Sequence, residues 1–233
     1  MQMLIQNYFS EHAMKSHQKG FTLVEIAIVL VIIGLLLGGV LKGQELINSA
    51  KVKNLANDFK NAPLAIYGYQ DRFRAVPGDD LRAKTNLPGG QDSDAGNGNG
   101  RIDGEWNSQT ATDESAKYWR AVRLTNFLAG PTDMGQTEYY PINVEGGRIG
   151  ITGAIVSQIP ITGMTGTYVF CSSGILGKYA RQLDATIDDN NTETGSLRVR
   201  ALVTGGDVAA PAAAIASTTA NFDTTGYTVC MTF

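Results

Sequence analysis

From Phe21 to Leu41 the chain runs for 21 residues with a single ionisable side chain, Glu25. At roughly 1.5 Å per residue this is about 32 Å of helix, enough to cross the hydrocarbon of a bilayer once. In lipid, a lone segment must satisfy its backbone internally, and only a helix does that. Gly34, Gly38 and Gly39 interrupt the run. They permit close helix approach but weaken the helix by up to ~1 kcal/mol each. Glu25 is the anomaly, because a carboxylate at that depth costs a few kcal/mol unless something pairs with it. Thr22-x-x-Glu25 has the spacing of a helix-capping box, with the carboxylate returning to the amides of the first turn. The other reading is a partner from outside the helix.

At 233 residues the chain has room for a membrane anchor plus one ordinary globular domain. A net charge of −3 and a pI near 5.4 speak against a general nucleic-acid or anionic-lipid binder. Both histidines, His12 and His17, precede the apolar run. Everything after Gly20 therefore lacks the histidine that Ser-His-Asp, Cys-His and most zinc chemistry requires, and no enzyme is expected. Paired carboxylates would be the remaining catalytic option, but the acids sit in glycine-rich loops.

Beyond the apolar run, Leu46, Ile47, Ala50, Leu55, Phe59, Ile66, Tyr69 and Phe73 recur at helical spacing among charged residues. The helix is predicted to continue, amphipathic, over 42–74, kinked at Pro63 and ended by Val76-Pro77-Gly78-Asp79. A polar Gly/Asp/Asn loop follows over 78–110, then a helix over 113–128. Strands are expected at 139–144, 148–151, 167–171, 196–204 and 227–233, in β-branched or aromatic runs bounded by glycines. An Ala/Thr-rich stretch at 207–223 reads as a surface loop. The fold class is α+β: a long N-terminal helix packed on an antiparallel sheet.

Lys19-Gly20-Phe21-Thr22-Leu23-Val24-Glu25 followed by the apolar run resembles the processing segment of type IV prepilins and type II secretion pseudopilins. The polar segment precedes the apolar one and no small-residue site follows it, unlike a secretory signal peptide. The resemblance implies that an inner-membrane prepilin peptidase cuts between Gly20 and Phe21 and methylates the Phe21 amine. It further implies that Glu25 pairs with the Phe21 ammonium of a neighbouring subunit, setting axial register. The implied organisation is a cytoplasmic leader over 1–20, a membrane and assembly helix over 21–41, its amphipathic continuation over 42–74 and a periplasmic pilin-like domain over 75–233. Met14 is as good a start as Met1. The basic leader stays inside by the positive-inside rule, which sends the C-terminal domain across the inner membrane. The implied partners are other pilins in a helical filament and an inner-membrane assembly platform. In an extracytoplasmic domain Cys171 and Cys230 read as a disulfide, the alternative being two buried thiols. Residues 75–79, 96–103, 114–119 and 187–190 look like segments of a broad bacterial group of large prepilin-type proteins.

Asp92, Asp94, Asn97, Asn99, Asp103 and Glu105 place oxygen ligands around glycines, as a calcium loop would. The EF-hand register fails at both ends, with Ala95 and Trp106 where the terminal ligands belong, so the alternative is a loop of Asx turns. Some pseudopilins order a loop with calcium. Asp184, Asp188 and Asp189 read as a solvated acidic turn. The leading function is a structural pilin, major or minor. Next comes a secretion pseudopilin, then a tip adhesin or DNA-uptake minor pilin. DNA capture lacks a basic, aromatic-interleaved patch, since Arg198 and Arg200 are alternate residues of one strand.

Overall fold

A computed structural model describes residues 20–154, 159–202 and 212–233. The leader assigned to 1–20 therefore lies outside the described residues except for Gly20, as do the end of the strand expected at 196–204 and the start of the loop expected at 207–223. Contacts divide the chain into two units, one ending at Glu45 and one from Leu46 to the C-terminus. Helix α1 (Leu23–Phe73) is unbroken and passes through Pro63.

Within the second unit, α1 buries a stripe of Val52, Leu55, Ala56, Phe59, Ala62, Ile66 and Tyr69, spaced by three or four residues as one helix face requires. Leu46 and Ile47, which share the predicted apolar stripe, are exposed. The stripe packs against a four-stranded antiparallel sheet of order β1–β2–β4–β3, comprising β1 (Ile149–Gly153), β2 (Tyr168–Leu176), β3 (Leu197–Ala201) and β4 (Gly226–Thr232). Alternation along β2 assigns its side chains to two layers. Tyr168 and Phe170 join the α1 core, where Phe59 meets Phe170 edge-to-face at 5.1 Å. Val169 and Cys171 face a second cluster with Trp106, Ile161 and Met164. Both faces of the sheet are thus covered.

The remaining helices are α2 (Ala83–Asn86), α3 (Glu114–Leu124) and α4 (Gly177–Ile187). Four expectations are corrected. The strand expected at 139–144 is absent: Thr137–Tyr139 is a 3-10 turn, and Ile142 makes one isolated bridge to Arg148. Tyr139 instead buries its ring and donates its hydroxyl to Ala116 O at 2.7 Å on α3. The strand expected to end at Cys171 continues to Leu176, because Ser172-Ser173-Gly174 forms a bulge with Gly174 at φ 71° rather than a turn. Helix α4 follows directly, where no helix was expected. Helix α3 also stops early, at Leu124, with Asn126 in the left-handed region.

Candidate functional site

Gly20 and Phe21 stand at the start of α1, and Phe21 is 83% exposed. Apolar side chains from Leu23 through Leu41 are likewise exposed, and none of the most apolar window of the helix is buried against the described residues. A surface of this kind is unstable in water and requires lipid or other helices. By length and composition α1 can cross a membrane once.

Glu25 forms the capping box. Its Oε2 accepts from Thr22 N and from Thr22 Oγ1, both at 2.8 Å, while Glu25 N donates to Thr22 Oγ1 at 3.2 Å. The capping geometry foreseen from the Thr22-x-x-Glu25 spacing is therefore present in the single chain. All these bonds are solvent-exposed, so the carboxylate is available to exchange them for a stronger, charged partner.

Among the loop residues considered for calcium, the structure brings Asn97, Asn99 and Asp103 together. Both amide nitrogens donate to Asp103 Oδ2, at 2.7 and 2.8 Å, while the amide oxygens accept from Asn99 N and Arg101 N as Asx turns do. Asp92 is paired elsewhere, with Lys84 at 2.9 Å on the surface. Asp94 is buried, takes the Gln91 N–H at 2.7 Å and pairs with Arg120 at 2.7 Å. Glu105 accepts from Ser108 N through its carbonyl in the turn before Trp106.

Two acids outside that set organise the loop. Asp79, 3% exposed, accepts the backbone N–H groups of Gly98, Asn99 and Gly100. Glu114, at the start of α3, accepts Asn97 N at 2.8 Å and Asp103 N at 2.9 Å. Burial raises the Glu114 carboxyl above its ordinary range, against the lowering pull of those two N–H groups. Close approach requires glycine here: a Cβ at Gly96 would overlap the Asp79 backbone. Asp80 closes the other side, accepting Tyr69 Oη at 2.9 Å, Asn86 Nδ2 at 2.6 Å and Arg82 N at 2.8 Å. The segments 75–79, 96–103 and 114–119, far apart in sequence, thus form one hydrogen-bonded assembly. A Pro-Gly-Asp turn beside a Gly-Asn-Gly-Asn-Gly run carried the signal, since such a run exposes N–H donors that need a buried acceptor.

Cys171 and Cys230 are directly paired residues of β2 and β4 and form a disulfide across the two central strands. Arg198 and Arg200 hold the 160–162 segment, bonding Thr162 O at 3.3 Å and Pro160 O at 2.9 Å. A cavity of about 170 Å³ between α1, α3 and the sheet is lined by Asp58, Ala62, Trp119, Arg123 and Phe170. Burial pushes the Asp58 carboxyl up to about 6.

The fold is α+β, a long apolar N-terminal helix joined to a domain with a four-stranded antiparallel sheet. Residues 15–41 match the prokaryotic N-terminal methylation motif, the prepilin-type cleavage and methylation segment. That motif supports a type IV pilin- or pseudopilin-like protein and points to a structural role. No curated protein and no solved structure matches the chain.

Proposed function

We propose that this chain is a structural subunit, a pilin, of a type IV pilus or a related filament. The observation that carries the reading is the methylation motif seated on a helix whose apolar surface none of the described residues covers. In this reading a prepilin peptidase cuts between Gly20 and Phe21 and methylates the new Phe21 amine. The subunit waits in the inner membrane with its C-terminal domain in the periplasm. An assembly platform then transfers it into the filament, where α1 packs among the same helices of other subunits. Glu25 leaves its capping bonds to Thr22 and pairs with the Phe21 ammonium of a neighbour, which offsets the cost of both charges in an apolar surrounding. A pseudopilin of a type II secretion system shares every anchor feature. Recovery of the protein in sheared surface filaments of wild-type cells favours the pilus, and confinement to the periplasm favours the pseudopilus.

The test is Glu25→Leu in the producing cell. Cleavage and methylation should proceed, while filament yield should collapse, because an unpaired buried charge costs about 3–5 kcal/mol at each docking step. Normal filament yield from that variant would refute the pairing.

A further inference from the structure

We infer that the C-terminal end of α4 is a binding site for a hard divalent cation of calcium type, held by Asp184, Asp188 and Asp189. The inference is independent of the filament reading. Sequence reasoning treats these acids as a solvated turn, but the structure buries Asp184 completely, and its carboxylate oxygens form no well-aligned hydrogen bond, with the backbone N–H of Asn190 acting on them only weakly. Every other buried acid among the described residues is accommodated. Asp79 receives three backbone N–H groups, Asp80 a phenol, an amide and an N–H, Asp94 a guanidinium, and Glu114 two N–H groups. Asp184 is the least compensated of these, and a poorly compensated buried carboxylate is expensive.

Its surroundings add to that cost. One carboxylate oxygen from each of the three acids lies within 4.8 Å of the others. They gather at the C-terminal end of a helix, where the backbone dipole is negative, and the last turn of α4 carries no basic residue. Arg198 is the cation whose charge reaches Asp189, and its guanidinium is engaged by the carbonyls of Gly195 and Thr162. Three like charges thus converge on a negative helix end around a buried, weakly partnered carboxylate. A bound cation resolves all of these terms together.

The geometry suits calcium. Ligands at about 2.3–2.6 Å from one ion lie at most about 4.6–5.2 Å apart, so the observed spacing is within what one ion can bridge. Asp188 Oδ2 accepts from Leu197 N at 2.7 Å, and Asp189 accepts from Asn191 N at 2.9 Å and Thr194 Oγ1 at 2.7 Å. These bonds hold both side chains in place and leave lone pairs free, since a carboxylate offers about four. Carbonyls of the last helical turn and water would complete the six to eight oxygens. Softer metals lack their ligands: there is no histidine after His17, and both cysteines are in the disulfide.

The test is thermal melting of the processed, full-length protein in detergent, followed by tryptophan fluorescence, with calcium chloride against potassium chloride at matched ionic strength. For a dissociation constant of about 0.1–1 mM, 10 mM calcium should raise the melting temperature by about 3–10 °C. Asp184→Asn should abolish that shift while melting, without calcium, at or above the wild type, because it removes the buried charge. Asp189→Asn, at an exposed position, should sharply reduce the shift. Asp103→Asn should leave it intact. The inference is overturned if calcium fails to shift the wild type, if the shift survives both Asp184→Asn and Asp189→Asn, or if Asp103→Asn is the substitution that removes it.

Discussion

Replacing Asp79 by alanine should unravel the 96–103 loop and measurably weaken the domain behind it. The side chain is 3% exposed and its two oxygens accept three backbone N–H groups, from Gly98, Asn99 and Gly100. A hydrogen bond to a charged acceptor contributes about 1.5–3 kcal/mol, and each donor left buried and unpaired costs about 1–3 kcal/mol. The full sum overshoots, because a freed loop turns some of its N–H groups to water. A net loss of about 2–4 kcal/mol is expected, equivalent to a fall in melting temperature of about 4–16 °C for a domain of this size. Asp79→Asn keeps one acceptor oxygen and should lose about half as much. Trp106 and Trp119 are the only tryptophans, and both are buried in the unit from Leu46 onward. Their fluorescence during urea or thermal unfolding therefore reports on this unit rather than on the apolar segment. A melting temperature for Asp79→Ala within about 1 °C of wild type would refute the reasoning.

Reducing the disulfide, or substituting Cys171→Ser together with Cys230→Ser, should cost about 4 kcal/mol in the chain-entropy account of a loop with sequence separation 59. Melting with and without reductant measures this directly, and an unchanged curve would show the cross-link to be energetically idle. Asp58 predicts a dependence on pH. Its folded value, raised to about 6, exceeds the unfolded one near 3.9, so the folded state binds the extra proton. Stability from this group is present below about pH 4 and is lost as pH rises through about 6. Discounted for its partial exposure, the loss is about 1–2 kcal/mol. Asp58→Asn should therefore stabilise the protein by that amount at pH 7.5 and hardly at all at pH 4, as read by urea midpoints; equal effects at both pH values would contradict the assignment.

The parts legible in the sequence were those written in long periodic signals. A 21-residue run with one ionisable side chain and a following stripe at three- and four-residue spacing specify α1, and Leu55, Phe59, Ile66 and Tyr69 duly face the core, while Leu46 and Ile47 do not. Glu25 stood out because nothing else in the run is ionisable. What stayed hidden was decided by tertiary contacts. Tyr139 reads as the start of a strand but finds its partner on α3. Gly174 reads as a terminator but makes a bulge, which carries β2 on into α4 without a connecting loop. The signal for α4 was present in Tyr179, Ala180, Leu183 and Ile187, an apolar face only 11 residues long. Among the candidate site residues, spacing drew attention to the exposed acids of the 92–105 loop. Asp79 and Glu114, which order it, lie 13 or more positions before and 9 after that window, and burial rather than spacing reveals them.

The central claim is that the helix becomes functional only once proteolysis creates its amino terminus. Mass spectrometry of the N-terminal peptide, from protein purified out of its native membrane with and without an active prepilin peptidase, tests this most directly. The account predicts a chain starting at N-methylated Phe21 in the first case and an intact leader ahead of Gly20 in the second. A mature protein that keeps its leader while the peptidase is active would contradict it.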